Sequence, residues 1–329
     1  MSEEIEPLPL NATPLPWHQA ELAAFAEQYQ RGKLAHALLL YGAPDTGKRR
    51  LAQALARLLL CANPQDGLPC GNCHPCELAA SGHNSDVCWQ EPKGGSRVIK
   101  IEQVRAAVAF TQGTASFSPN KVAVFAPAQK LNLNAHNALL KSLEEPAPDT
   151  YLLLVCDSLN AIPATIRSRC RMQPLPDPDE ALCLQWLQET TQDSALAESL
   201  LSLAEGRPLL AQALYSEDRV ESYSACRLAL RSLLAQELVA TDIWNGFSDE
   251  DPDAFLQMLA SELRLRIKGL SAQALASAEG RALFKLLDET LHIRRAVAAG
   301  SNPAPQMLVD QMLSKSHREL GEARRGDTI

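Results

Sequence analysis

Short apolar runs of strand length recur through the first half of the chain. They are AHALLLY (35–41), DVCWQ (86–90), KVAVFA (121–126) and YLLLVC (151–156), with a weaker one at RMQPL (171–175). The first four are apolar on both faces, which suits buried parallel strands better than half-exposed antiparallel ones. Helical spacing fills the intervals. Leu22, Phe25, Ala26 and Tyr29 predict a helix over 18–30, and similar patterns predict helices over 49–60, 101–110 and 134–143. That alternation predicts a doubly wound β/α sheet across roughly the first 170 residues. Ahead of it, Pro7, Pro9, Pro14 and Pro16 predict an extended lead up to Trp17.

Beyond LPDPDE the strand pattern stops. Asp177, Pro178 and Glu180 predict a helix start, with an N-cap acceptor, a first-turn proline and an acid at N3. Asp193 predicts the cap of a second helix ending near Gly206, and Pro208 opens a third, making a small helical block over about 176–215. Farther on, Phe255, Met258, Leu259, Leu263 and Ile267 share one stripe, and Leu283, Leu286, Leu287, Leu291 and Arg294 another. Each is the pattern of a helix facing a core. The closing GEARRGDTI reads as a frayed tail.

At 329 residues the chain has room for two or three domains. A hydrophobic fraction of 46% and a charged fraction of 21% place it among soluble globular proteins. The formal charge of −8 argues against a protein that coats nucleic acid through bulk electrostatics and leaves only local basic patches for that purpose. The acidic, proline-rich start lacks the basic and apolar regions of an export signal. No apolar run reaches the ~18 residues of a membrane span, Arg57 interrupting LAQALARLLL. Nine cysteines without an export signal point to thiols or metal ligands rather than disulfides. The expected setting is a bacterial-type cytoplasm, with no membrane partner.

The stretch GAPDTGKRR (42–50) holds Gly42, Gly47 and Lys48 at the spacing of a phosphate-binding loop, between an apolar strand and a helix. Backbone N–H groups in such a loop form an anion site with the helix N-terminus behind them, and Lys48 would reach the outer phosphates. The next position needs a Ser or Thr hydroxyl to hold Mg²⁺; here it is Arg49. A second metal-holding acid should follow the strand KVAVFA, yet Pro127, Ala128 and Gln129 stand there, and no Asp or Glu lies between Lys121 and Leu143. With both contributors gone, no intrinsic ATPase is expected. The loop then needs no ATP or ADP, although weak nucleotide binding stays open.

Cys61, Cys70, Cys73 and Cys76 follow the spacing C-x8-C-x2-C-x2-C. Paired C-x2-C steps let thiolates converge at ~2.3 Å from one tetrahedral Zn²⁺, and four thiolates close the site, which makes it structural. An iron–sulfur cluster is the second reading, weakened by Ala80 where a further cysteine would stand. His74 and His83 read as surface residues, and Cys88, Cys156, Cys170, Cys183 and Cys226 as small core residues.

Residues 165–171 read TIRSRCR. In an extended segment Arg167, Arg169 and Arg171 would point one way, as a solvated cationic edge or as an anion-binding comb. An arginine offered to a neighbouring subunit's triphosphate accelerates hydrolysis by ~10³–10⁵. Taken together, HALLLYGAPDTGK, CGNCHPC, NALLKSLEEPAPDTYLLLVC and IRSRC resemble the clamp-loader branch of the AAA+ proteins, the branch that serves bacterial DNA polymerase III. The resemblance spans about residues 15–210 by motif and the rest by helical pattern.

The resemblance implies three parts. An AAA+ P-loop core with a parallel five-stranded sheet occupies 1–170 and carries an inserted Zn knuckle at 61–76. A small helical lid follows at 171–212, then an all-α collar at 213–329 that assembles the complex. It also implies that Arg169, framed by Ser168 and Cys170, acts in trans as an arginine finger at the ATP site of an adjacent gamma/tau motor subunit. The delta subunit, the sliding clamp and primer–template DNA are the further partners implied. Departures from the motor subunits favour a non-hydrolysing member. Ala126 and Pro127 replace their adjacent acids, and Val155 or Cys156 a small hydroxyl. In GRPLLA, Leu209 replaces the lid arginine, with Arg207 out of register.

Two other functions compete. One is an autonomous AAA+ ATPase whose metal is held by Glu102 or Glu144. The other is a zinc-dependent nucleic-acid binder acting alone through Lys315, Arg318, Arg324, Arg325 and the arginines at 167–171.

Overall fold

Five strands, β1 (Ala37–Tyr41), β2 (Val87–Gln90), β3 (Lys121–Phe125), β4 (Thr150–Cys156) and β5 (Arg171–Pro174), form one sheet of order β2-β3-β4-β1-β5. Every neighbouring pair is parallel, with partners such as Leu39 with Leu154 and Val124 with Leu153. The computed structural model describes residues 14–94, 96, 98–237, 252–298 and 304–326. These fall into two compact units, Met1–Gln212 and Ala213–Ile329.

In the first unit the two-residue period of the strands divides the apolar side chains between two layers of helices. Leu38, Leu40, Val122, Val124, Leu153 and Val155 pack against α1 (Gln19–Gln30), α2 (Lys48–Leu60) and Ala79 of α3 (His74–Ala80). Ala37, Leu39, Ala123, Phe125, Leu152 and Leu154 face the other way, onto α4 (Ile101–Thr111), α5 (Leu133–Glu144) and Ile166 of α6 (Ala164–Arg167). Two covered faces are what runs apolar on both sides require. Each leucine so enclosed stabilises the fold by ~1.5–3 kcal/mol. Three helices close the unit: α7 (Glu180–Thr191), α8 (Ser194–Leu203) and α9 (Pro208–Ser216), the last crossing the division between the units. Because β5 pairs with β1, residues 171–174 belong to the sheet, and these three helices start after them.

The second unit contains α10 (Val220–Leu234), α11 (Pro252–Lys268), α12 (Ala272–Leu275), α13 (Ala278–Ala298) and α14 (Pro305–Gly326). Phe255, Leu259 and Leu263 of one expected stripe and Leu283 and Leu286 of the other are fully buried, beside Met312 and Leu313. Glu262 is buried among them and bonds Arg227 and Arg231, its Oε1 lying 2.6 Å from Arg227 Nε and its Oε2 2.7 Å from Arg231 Nε.

Three local expectations are corrected. The helix after LPDPDE is capped by Asp179, whose side chain accepts the Leu182 N–H, rather than by Asp177. TIRSRCR is not extended: Pro163 caps a helical turn through Arg167, Ser168 continues it, and only Arg171 enters a strand. GEARRG is helical to Gly326, where Arg324 donates to the Ala235 carbonyl at 2.8 Å and pairs with Glu279. The expected extended lead falls mostly outside the described residues, which begin at Pro14 in that run before a 3-10 turn over Pro16–His18.

Candidate functional site

The loop after β1 is built on close backbone approach. Gly47, the N-cap of α2, has φ +90°, and a Cβ there would stand 2.2 Å from Leu15 Cδ1. A Cβ on Gly42 would stand 2.8 Å from the Leu175 carbonyl oxygen. Both glycines are therefore required by the path itself. Trp17 Nε1 donates to the Thr46 carbonyl at 2.8 Å, and Leu209 N–H donates to the Asp45 carbonyl at 3.1 Å. The N-terminal turn and the start of α9 thus lie across the loop.

Its lysine is turned inward. Lys48 is only 4% exposed, donates to the Ala43 carbonyl and pairs with Asp157 at 2.7 Å. Asp157 directly follows β4 and is fixed by Gln129, which donates to its Oδ2 at 2.7 Å and accepts its N–H at 3.3 Å. Arg49, in the position of the metal-holding hydroxyl, pairs with Glu91 at 2.5 Å and lies over Trp89, 5.2 Å from the ring centroid. On the lid side Arg207 stands 3.7 Å from Asp45. His18 is wholly buried beside this cluster. Burial, and then the Lys48 charge, push its imidazole down to about 4, so it is neutral in the fold.

The four cysteines converge. Their sulfurs lie within 4.8 Å of one another, Cys61 at 3.5 Å from Cys70 and 3.9 Å from Cys73. A tetrahedron with metal–sulfur bonds of ~2.3 Å has edges of about 3.8 Å, so the set can hold a metal ion. Local structure explains the spacing. Cys61 caps the end of α2, Cys73 caps α3, and Cys76 sits in its first turn. Asp66 and Gly67, both at positive φ, close a tight turn in which Gln65 and Leu68 exchange backbone hydrogen bonds. Burial pushes the Cys61 thiol up to about 12. At Cys70 burial pushes up, but hydrogen bonds from the Asn72 and Cys73 backbone together with those from the Cys61 and Cys73 thiols bring it down to about 7. His74 and His83 are exposed, and Cys156, Cys170, Cys183 and Cys226 are buried.

Arg169 leaves the turn between α6 and β5, about one-third exposed, between exposed Ser168 and buried Cys170. Its guanidinium pairs with Glu144, the last residue of α5, and donates to the Thr165 carbonyl at 2.9 Å. Glu144 is paired with that arginine, and Glu102 lies exposed in the first turn of α4.

The family described as "DNA polymerase III, delta subunit" matches residues 17–179. The DNA polymerase III subunit delta' of Pseudomonas aeruginosa is 39% identical over 236 residues, covering 70% of this chain and 71% of that protein. The chain belongs to the delta' family. The delta' of Yersinia pestis is 32% identical over 93% of this chain and 89% of its own length, and that of Escherichia coli K12 29% identical over 93% and 96%. Membership thus extends past the core into the helical region. In this delta' family member, Gly42, Gly47 and Lys48 lie between β1 and α2, the four cysteines converge, and Arg169 lies on the turn before β5. Glu144 belongs to the NALLKSLEEP stretch, but Asp157, Gln129 and Glu91 carry no motif of their own. They reach those sites through the topology, and the one sequence signal for them is position just after a strand. Among the described residues no helix is long and apolar enough to cross a membrane.

Proposed function

We propose that this protein is a non-hydrolysing subunit of the DNA polymerase III clamp loader, acting beside gamma/tau motor subunits and the delta subunit to place a sliding clamp on primer–template DNA. The observation that carries this reading is the contrast between its two cationic sites. Lys48 of the cradle is buried against Asp157, whereas Arg169, although paired with Glu144, stands one-third exposed on a buttressed turn. A guanidinium oriented by Glu144 and the Thr165 carbonyl can exchange its carboxylate for the phosphate of a neighbour, since both accept the same two-pronged donor. At the neighbour's γ-phosphate it would stabilise charge that grows in the transition state. The cradle contributes nothing to hydrolysis, lacking the hydroxyl at Arg49 and an acid after β3.

The cysteine cluster is proposed to hold Zn²⁺, which fits a closed set of four thiols and no fifth donor. Bound there, the ion ties the end of α2 to the start of α3 and supplies no chemistry. Core, lid and collar follow as working parts, the collar being the assembly element, and the cytoplasm is the compartment that such a role requires.

The test is reconstitution with motor and delta subunits. Arg169→Ala should lower clamp- and DNA-stimulated ATP turnover roughly tenfold or more, while assembly on a sizing column is retained. Undiminished turnover in an intact complex would refute the trans role.

A further inference from the structure

Three cations at the cradle are matched by carboxylates of the same chain. Lys48 meets Asp157, Arg49 meets Glu91, and Arg207 meets Asp45, within a unit that contains both core and lid. The Lys48 pair is the most enclosed, and its acid is not loose. Gln129 grips Asp157 at two points, from the segment after β3 where a hydrolysing loop would present its metal acids. The lysine's second bond runs to the Ala43 carbonyl inside the loop, so the ammonium sits in the hollow of its own cradle.

We propose that Asp157 is a built-in anion that takes the place of phosphate on Lys48, so that the cradle is a latent polyphosphate site shut by Gln129 and Asp157. The proposal rests on the reading of the cradle as non-hydrolysing and adds its cause of closure. An incoming phosphate would have to displace a carboxylate already held by two partners, and it would approach an acid rather than a free ammonium. Removing the negative charge while keeping the shape should therefore open the site. The backbone amides, both glycines and Lys48 all remain. The Asp45–Arg207 contact and the Leu209–Asp45 hydrogen bond serve the same closure from the other side, holding the start of α9 on the loop.

The experiment is equilibrium binding of ADP and of inorganic tripolyphosphate to the full chain and to Asp157→Asn. The variant should bind both at least about tenfold more tightly than the parent, the gain of one charge-assisted contact. The double variant Lys48→Met with Asp157→Asn should fall back to the parent's level. Gln129→Ala, which removes no charge but frees the carboxylate, should gain affinity in the same direction and stands in if Asp157→Asn does not fold. Equal affinity of parent and variants overturns the proposal, as does a double variant that binds as well as the single one. Tight ADP binding by the parent overturns it too. None of these outcomes touches the reading of a non-hydrolysing subunit, which fails only if the parent turns over ATP.

Discussion

His18 shows how the shut cradle writes itself into stability. Its imidazole is buried and, with Lys48 near, titrates at about 4 in the fold against 6.5 unfolded. Between those values the unfolded chain binds more protons, so stability rises with pH across that window. It is complete above pH 6.5 and is lost progressively as pH falls toward 4. Urea unfolding at pH 7.5 and pH 5 should show a stability difference of which about 2 kcal/mol disappears in His18→Leu. An unchanged pH dependence in the variant would contradict the buried, neutral histidine. Position 49 was legible from sequence, because the loop's spacing assigns its job and a guanidinium cannot ligate metal. Its partner Glu91, and the Asp157–Gln129 grip on Lys48, were not. Those contacts join segments 42 and 109 residues apart in the chain, and only the sheet order brings them together.

Among the elements, the first four strands were legible because both of their faces are covered, and burial on two sides leaves a nearly unbroken apolar signature, whereas β5 is largely exposed and gave only a weak one. TIRSRCR misled because alternating arginines mimic an extended edge. Pro163 at the cap and Ile166 in the core decide for a helical turn instead, and this is what gives Arg169 its separate direction. LPDPDE offered two aspartates for one cap, and only Asp179 lies three residues ahead of the N–H that it accepts. The knuckle between α2 and α3 was legible from spacing alone, since the chemistry of thiolate convergence leaves few alternatives. Cys73→Ser should release about one equivalent of metal per chain and lower the melting temperature. Metal analysis and a thermal melt on the purified protein check both. Full metal content in that variant would remove Cys73 from the ligand set.

At the scale of the whole molecule, the two units carry their charges differently. The first spends its enclosed cations on closing a cradle, and the second buries an ion cluster in its helical core. Glu262, 2% exposed, serves two arginines at once. Glu262→Gln removes the buried carboxylate that Arg227 and Arg231 share and should cost about 3–5 kcal/mol in denaturant unfolding. Breaking the exposed Glu27–Arg31 pair by Glu27→Ala should cost under about 1 kcal/mol. Equal effects would mean that Glu262 is reached by water. The stripes on α11 and α13 made such a core legible in sequence, but not the acid inside it, because a charge at a core position is read as a solvated edge until its partners are seen. The central claim is that this chain lends an arginine and hydrolyses nothing itself. Its most direct test is ATP turnover measured side by side for the isolated chain and for the reconstituted loader carrying Arg169 or Arg169→Lys. The isolated chain should show no turnover, and the complex full turnover that falls sharply with lysine. Turnover by the isolated chain at the rate of a motor subunit, abolished by Lys48→Met, would contradict it.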